Sequence, residues 1–388
     1  MRSKVKNKQI LFVSKDAHWQ RYRNEVLAEL TRLYDCEVTV ITCLDVEEYI
    51  KETSGLRYIV SSNLLSFSSK LNLIPYVYFY ILKRKPDAVL ALPNVSNFTE
   101  LTLSVFCKLT KSNLTYWTHG YDHCRRPTEG IRGQLNRFRV KIIETCLSLA
   151  DNIIVFSPKG KEYLEEKKVT KKEIIVAPNT LNTNKLLKGY HDVDLNDVSE
   201  FKKKHGLEDT TIFLFSGRLR AGKRLERFIE AAGSAKNLDK ISLVVVGDGE
   251  MKDEWMSMCE DVGLKSVFLG EVFEDKSLSI IFKSSDWFVM PGYVGLAIVH
   301  AFSHGLPILT ENISFHSPEI YYLENEKNGF IFEEGGVNEW KYFIENSACD
   351  PYLKNKVSTN AISTVNAKAS IGKQLASMAK ALGVSARV

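Results

Sequence analysis

Residues 290–310, MPGYVGLAIVHAFSHGLPILT, combine a glycine-bearing turn with a short helix and a proline-led strand. Gly292 and Gly295 bracket Tyr293 in the turn, so the backbone there can approach a ligand closely. The helix that follows has free N–H groups at its N-terminus, and such groups attract anions. The pattern therefore predicts a turn that binds a phosphate.

A second turn with the same layout lies earlier in the chain. In residues 212–232, IFLFSGRLRAGKRLERFIEAA, an apolar strand runs into a Ser-Gly-Arg turn, and a helix opens near Lys223. The guanidinium of Arg218 can hold two phosphate oxygens at once, and Lys223 adds a mobile positive charge. Because this pair of cations suits a diphosphate, we expect the two turns to converge on one ligand.

Strand-like runs alternate with helical patterns along the chain, which predicts two doubly wound α/β domains with parallel sheets. The runs are 10–14, 37–42, 57–60, 87–92, 113–117, 152–156 and 173–177, then 211–215, 242–246, 266–269, 286–290, 307–310 and 329–332. A polar break at 183–205 is read as the linker between domains 1–185 and 206–365. Ligands of such sheets bind beyond the carboxyl ends of the strands, where both turns lie.

Several further motifs follow one another in a fixed order. The second half contains SGRLRAGK (216–223), VVVGDGE (244–250), VFLGEV (267–272), SSDWFVMPG (284–292), GLAIVHAFSHGLPILT (295–310), SPEI (317–320) and NGFIF (328–332). The first half contains YWTHGYD (116–122) and a stretch from ADNIIVFSPKGKEYL to IIVAPNTLNT (150–183). Each motif alone is weak, but their order and spacing are specific. The chain resembles the retaining GT-B glycosyltransferases of family 4 along nearly its whole length.

This resemblance implies a GT-B fold, in which two Rossmann-like domains face each other across a cleft and a last helix, about 368–388, packs back on the first. It implies sugar transfer from a nucleotide-diphosphate sugar, with UDP-sugar mildly preferred, to a glycan or lipid-linked acceptor in surface polysaccharide assembly. No metal and no cofactor are expected. The implied catalytic residues are His119, Arg218 and Lys223. The implied donor-binding residues are Gly217, Gly247, Gly249, Gly292, Tyr293, Val294, Gly295, Leu296, His300 and Glu319.

The sequence departs from this family at its acidic motif. The family has two glutamates in a Glu-x7-Glu spacing, and this chain has Gly292 and His300 at those positions. A neutral His300 can accept a hydrogen bond from a ribose hydroxyl, whereas Gly292 offers only its backbone. Three interpretations stay open: a functional variant motif, a changed donor class, and a non-catalytic nucleotide-sugar-binding relative. A nucleotide-sugar epimerase on the same plan is a further alternative.

The acceptor is expected on the first domain. His119 follows the fifth strand, and Asp122 could steady it; a loop histidine bonded to a neighbouring carbonyl is the alternative interpretation. Arg21 and Arg23 follow the first strand, where many family members have a glycine-rich loop. They are candidates for holding an acceptor phosphate, and a solvated helix start is the alternative.

Composition is compatible with a two-domain enzyme, because 388 residues with 44% hydrophobic content can fill two cores. The net charge of +5 suits anionic ligands or an anionic membrane surface, but it is too small to indicate nucleic-acid binding. The seven cysteines have no CxxC spacing, which favours a reducing cytoplasm over a disulfide framework. We expect a cytoplasmic protein without a signal peptide.

Residues 71–85, LNLIPYVYFYILKRK, place four aromatic side chains beside three basic ones. This combination suits the headgroup region of a membrane, so the protein could be peripheral on the inner face of a membrane. An ordinary helix packed on the first domain, with a solvated basic end, is the alternative interpretation.

Overall fold

The structure is a computed structural model and describes residues 7–14, 21–43, 55–64, 73–94, 98–120, 130–346 and 348–387. The chain forms two compact units. The first consists of Met1–Leu181 together with Ile371–Val388, and the second of Asn182–Ser370. Every strand pairing in both sheets is parallel, as the alternation of strands and helices predicts.

The first unit contains a seven-stranded sheet in the order β3-β2-β1-β4-β5-β6-β7. Its strands are β1 (Lys8–Val13), β2 (Cys36–Thr42), β3 (Arg57–Val60), β4 (Ala88–Ala91), β5 (Leu114–Thr118), β6 (Asn152–Val155) and β7 (Ile174–Val176). Its helices are α1 (Arg21–Leu33), α2 (Tyr76–Arg84), α3 (Phe98–Thr110), α4 (Gly130–Leu149), α5 (Pro158–Glu166) and, from the end of the chain, α14 (Ile371–Leu382).

Two apolar cores lie on the opposite faces of this sheet. Helices α1 and α14 bury side chains such as Leu27 and Leu375 in one core. Helices α2, α3, α4 and α5 bury side chains such as Ile81, Leu103 and Leu147 in the other. The sheet is therefore covered on both sides, which is why its strands read as nearly continuous apolar runs.

The second unit contains a six-stranded sheet in the order β10-β9-β8-β11-β12-β13. Its strands are β8 (Thr211–Ser216), β9 (Ile241–Val246), β10 (Ser266–Gly270), β11 (Trp287–Val289), β12 (Ile308–Glu311) and β13 (Gly329–Phe332). Its helices are α6 (Thr183–Asp192), α7 (Leu195–His205), α8 (Leu225–Gly233), α9 (Lys252–Val262), α10 (Asp275–Ser284), α11 (Ala297–Ser303), α12 (Val337–Asn346) and α13 (Pro351–Thr364). All thirteen predicted strand runs coincide with strands of the two sheets.

The strand order of the second sheet brings the two predicted binding turns together. The chain order reverses direction at β8, which pairs with β9 on one side and with β11 on the other. The turns that follow β8 and β11 therefore leave neighbouring strands at the same edge of the sheet. Such a switch point is where doubly wound sheets bind ligands.

The segment read as a linker, 183–205, is instead two helices of the second unit. Asn182 caps α6 by accepting a hydrogen bond from the Lys185 amide, and Asp194 caps α7 by accepting one from the Asn196 amide. Gly206 ends α7 in a left-handed conformation at φ 64°. Capped polar helices have no strand pattern, so loss of that pattern did not mean loss of structure. The second unit accordingly begins at Asn182 rather than at 206.

Among the described residues, no helix is both long and apolar enough to span a bilayer.

Candidate functional site

The turns after β8 and β11 are joined by backbone hydrogen bonds. The Gly292 amide donates to the Lys223 carbonyl at 2.9 Å, and the Tyr293 amide donates to the Gly222 carbonyl at 2.9 Å. The predicted convergence of the two turns is therefore present in the second unit. Two backbone amides of the turn that was predicted to approach a phosphate are thus engaged in holding the two turns together.

The side chain of Lys223 strengthens the same junction. Its Nζ donates to the Tyr293 carbonyl at 2.7 Å and lies 5.1 Å from the centre of the Tyr293 ring. Burial, and secondarily the nearby charge of Arg220, lowers the pKa of Lys223 to about 8. The ammonium is therefore positioned by the turn rather than mobile, and near pH 8 it is only partly protonated.

Gly292 lies where the family resemblance places a glutamate, and the structure leaves no room for a side chain there. A Cβ atom at this position would lie 2.2 Å from the Gly222 carbonyl oxygen and 2.8 Å from the Lys223 carbonyl carbon. Both contacts are to backbone, which cannot turn aside as the end of a flexible side chain could. The β8 turn approaches Gly292 so closely that the carboxylate side chain of the family cannot be accommodated at this position.

His316, which the sequence analysis did not single out, anchors the same turn. Its Nδ1 accepts a hydrogen bond from the Val294 amide at 3.1 Å, so its proton is on Nε2, which donates to the Glu311 carbonyl at 2.8 Å. Burial lowers the pKa of His316, which favours this neutral form. In the sequence, the signal that could have identified His316 was its position just before the SPEI motif.

Glu319 lies in the 3-10 turn Pro318–Tyr322 and is 2% exposed. The amide of Ser317 donates to the Val294 carbonyl at 3.0 Å, so this segment packs on the β11 turn. The remaining amides of that turn are those of Gly295, Leu296 and Ala297. Among the described residues they donate to no backbone carbonyl, and they stand at the N-terminus of α11.

A cavity of about 700 Å³ opens at the ends of β8, β9 and β10. Five of the predicted residues line it: Gly217, Arg218, Gly247, Gly249 and His300. The lining also contains Asp248, Glu271 and Val272, whose signal in the sequence was the GDGE and GEV segments, and Phe273 and Leu278, which no motif indicated. The cavity thus has an arginine and three glycines at one place, and its volume is in the range of small-molecule sites.

Two glycines of this lining are required by the backbone. Gly247 has φ 126° and Gly249 has φ 155°. A Cβ atom would lie 2.0 Å from the Gly217 carbonyl oxygen at Gly247, and 2.3 Å from the Leu219 carbonyl oxygen at Gly249. The β9 turn therefore presses directly on the backbone of the β8 turn, which shapes the cavity wall.

The surroundings of His300 favour its neutral form. Its ring stacks on Phe282 at a centroid distance of 4.2 Å, and burial, with a smaller contribution from His304, lowers its pKa to about 3. His304 donates from Nδ1 to the His300 carbonyl at 2.9 Å and accepts from the Ser279 hydroxyl through Nε2 at 3.2 Å. A neutral imidazole at the cavity wall can accept a hydrogen bond from a hydroxyl, as the sequence analysis expected.

In the first unit, two predicted acceptor-side residues meet at one aromatic ring. Arg23 is 9% exposed, and its guanidinium carbon lies 5.3 Å from the Trp117 ring centre and 5.9 Å from that of Phe156. The His119 ring packs edge-on against Phe156 at 4.5 Å. The Arg23 Nε is buried and has no hydrogen-bond partner among the described residues. Asp122 and the side chain of Arg21 lie outside the described residues.

Comparison with protein families matches residues 197–364 to the family Glycosyl transferases group 1. Uncharacterized glycosyltransferase MJ1607 of Methanocaldococcus jannaschii is 28% identical over 45% of this chain and 50% of its own length. Alpha-D-kanosaminyltransferase of Streptomyces kanamyceticus is 23% identical over 48% of this chain and 50% of its own length. The chain thus spans about half the length of these curated relatives.

Among solved structures, Anabaena HepE in complex with UDP superposes with a TM-score of 0.74 at 17% identity, covering 97% of this chain and 99% of that one. WaaG, a glycosyltransferase of lipopolysaccharide biosynthesis, superposes with a TM-score of 0.64 at 14% identity, covering 96% of this chain and all of that one (100%). These likenesses establish the fold. Each of the two units has the parallel-sheet Rossmann-like fold that is found in GT-B glycosyltransferase structures.

Proposed function

We propose that this protein is a retaining, metal-independent glycosyltransferase of the cytoplasm. It moves a sugar from a nucleotide-diphosphate sugar to a glycan or lipid-linked acceptor in surface polysaccharide assembly, and it needs no cofactor. The observation that carries the proposal is the 700 Å³ cavity at the carboxyl ends of β8, β9 and β10, lined by Arg218 and three glycines. The family match over residues 197–364 supports the same reading.

The donor proposed for this cavity is a UDP-sugar. HepE, which shares the fold, was crystallised with UDP, with UDP and glucose, and with UDP-glucose. In this chain the neutral ring of His300 would accept a hydrogen bond from a ribose hydroxyl, which takes the place of the family's second glutamate. The glycine-rich wall lets the nucleotide lie against the backbone.

The chemical demand is to stabilise the negative charge that grows on the diphosphate as the glycosidic bond breaks. Arg218 can bind two oxygens of that group at once. Lys223, held by the Tyr293 carbonyl, and the open amides at the start of α11 supply further fixed positive charge. Positive groups already in place cost no reorganisation during the reaction. With retention, the departing phosphate would take the proton of the acceptor hydroxyl, so no separate base is required.

The first unit supplies the acceptor side in this proposal. The buried guanidinium of Arg23 would bind an anionic group of the acceptor, and His119, on the same aromatic ring, would contact the sugar or the acceptor hydroxyl. A second candidate function is a nucleotide-sugar-binding protein without catalysis. It is favoured by one observation: Gly292 has no space for the carboxylate that the family places there.

A thermal-shift screen against UDP, GDP, ADP, CDP and their sugar conjugates tests donor binding. Arg218→Ala should weaken donor affinity about tenfold or more, because charged hydrogen bonds contribute about 1.5–3 kcal/mol. Arg227→Ala is the matched control, since Arg227 is on α8, outside the cavity lining, and pairs with Glu230 at 3.5 Å. Equal affinity of both variants, or no shift with any nucleotide, would contradict the proposal.

Release of UDP in the presence of acceptor extracts separates the two candidates. The transferase releases UDP, and Arg23→Met raises the KM for the acceptor without changing donor affinity. Donor binding with no product from any acceptor would instead favour the non-catalytic binding protein.

A further inference from the structure

The outer faces of α2, α3 and α4 form one surface of the first unit. The inner faces of all three helices pack into the same core on one side of the sheet. The helices are also joined sideways, because the Tyr78 ring on α2 lies 4.9 Å from the Phe106 ring on α3. Cys146 Sγ on α4 donates to the Leu101 carbonyl on α3 at 3.7 Å. Their opposite faces are therefore neighbours directed away from the core.

This surface exposes large apolar side chains. On α3 it has Phe98, Val105 and Leu109, which are 45%, 52% and 79% exposed and lie along one stripe of the helix. The flanking helices add Phe79 (53%) and Leu82 (56%) on α2 and Leu135 (56%) and Phe138 (66%) on α4. Exposed apolar side chains gathered on three neighbouring helices indicate an interaction site.

The charged residues of the same three helices are almost all basic. The described stretches 76–85, 98–111 and 134–149 contain Lys83, Arg84, Lys85, Lys108, Lys111, Arg137, Arg139 and Lys141, against only Glu100 and Glu144. Glu100 is 3% exposed and adds little to the surface. Lys83 keeps its Nζ 5.3 Å from the Phe79 ring centre, so its stem covers apolar surface while its charge stays accessible.

We propose that this three-helix surface docks the protein on an anionic lipid bilayer. Apolar side chains surrounded by lysine and arginine match a membrane interface, in which the side chains enter the headgroup region and the cations meet anionic lipids. The surface includes the 73–85 part of the aromatic and basic segment found in the sequence, and α3 and α4 extend it. This inference concerns where the protein acts and goes beyond the proposed sugar transfer.

Co-sedimentation with vesicles tests the inference on the full chain. The parent protein should bind vesicles of equal parts phosphatidylglycerol and phosphatidylcholine, and should bind phosphatidylcholine vesicles about tenfold less strongly. The variant Val105→Gln/Leu109→Gln/Phe138→Gln should lose about tenfold or more of the binding, because three exposed apolar groups no longer enter the interface. Glutamine keeps helix propensity, so the helices should remain folded.

The matched control replaces equally exposed apolar residues of the second unit, in the variant Leu195→Gln/Tyr342→Gln/Tyr352→Gln. It should bind vesicles as the parent does. Failure of the parent to bind anionic vesicles, or equal loss in the control variant, would overturn the inference. So would a dimer in solution that the α3 and α4 variant dissociates, since a second copy of the chain would then cover the patch. Donor binding by the vesicle-deficient variant should equal that of the parent, which keeps this test separate from that of the proposed function.

Discussion

Gly292 illustrates how one residue limits the chemistry of the turn. The backbone of the β8 turn occupies the place that a side chain would need, with a Cβ contact of 2.2 Å to the Gly222 oxygen. We expect Gly292→Ala to cost about 1–3 kcal/mol of unfolding free energy and to weaken donor binding, because one backbone segment must move. Gly292→Glu should not improve activity. Urea unfolding and donor titration measure both effects.

Gly222→Ala is the control for this prediction. Gly222 is on the other side of the same contact, yet a Cβ atom there would meet nothing within 4 Å. It should leave stability and donor affinity nearly unchanged. A Gly292→Ala variant as stable as Gly222→Ala would show that the turns are not so closely packed.

Lys223 gives the proposed donor site a pH dependence at the scale of a single residue. Its pKa is lowered to about 8, chiefly by burial, and a bound diphosphate favours the charged form. As the pH rises through about 8, the ammonium of Lys223 in the free protein loses a proton. Lys223 must then take up a proton again when the donor binds. The dissociation constant for UDP should therefore increase, approaching about tenfold per pH unit, between about pH 8 and pH 9.5.

Calorimetric titration with UDP across this range measures the effect. Lys223→Arg keeps its charge throughout, so its affinity should change much less with pH even if its affinity at neutral pH is lower. Parallel pH profiles for parent and variant would contradict the assignment.

At the scale of an element, His300 on α11 and His304, which caps the C-terminus of that helix, link stability to pH. Burial lowers the pKa of His300 to about 3 and that of His304 to about 4, from 6.5. Below pH 6.5 the unfolded chain binds protons that the folded one does not, so stability is complete above that pH and is lost as the pH falls. Each histidine contributes a slope of about 1.4 kcal/mol per pH unit between its two pKa values.

The variant His304→Asn should remove about 1.4 kcal/mol per pH unit from the slope of unfolding free energy between about pH 4.5 and pH 6. Its amide can still donate to the His300 carbonyl. His191→Asn, an exposed histidine at the end of α6, is the control and should leave the slope unchanged. Urea unfolding at several pH values measures the slopes. An unchanged slope for His304→Asn would mean that this histidine is protonated in the folded protein.

At the scale of the whole molecule, the end of the chain completes the core of the first unit. Leu375 and Met378 on α14 are 1% and 0% exposed and pack among side chains of α1 and the first sheet. Leu375→Ala should cost about 2–5 kcal/mol, because it leaves a cavity in that core. Hydrogen exchange should rise in residues 1–181 and stay unchanged in 182–370, since each unit has its own core.

Gly372→Ala on the same helix is the control, because a Cβ atom there meets nothing within 4 Å. It should not raise hydrogen exchange in either unit. Faster exchange in residues 182–370 of the Leu375→Ala variant would mean that the two units do not unfold independently.

The strands of this protein were predictable from the sequence, whereas two polar helices and the contacts between the two turns were not. The strands were predictable because both sheets are covered on two faces, so each strand is a run of apolar residues bounded by polar ones. The helices at 183–205 were missed because their residues are polar and half-exposed, and their caps are single side chains such as Asp194. The clustering of Arg218, Gly247 and His300 in one cavity was expected. The hydrogen bonds that the backbone amides of Gly292 and Tyr293 donate to the β8 turn were not.

The sequence by itself determined the alternation of strands and helices, the two glycine-bearing turns and the basic residues beside them, because these depend on local patterning and residue type. Only the tertiary structure decided which groups remain open to a ligand. The order of strands places β8 beside β11. Amides of the β11 turn then donate to carbonyls of the β8 turn, and this close approach leaves no space for a side chain at Gly292. The tertiary structure also decided that the exposed apolar residues of α2, α3 and α4 share one surface, because this depends on which face each helix buries in the core.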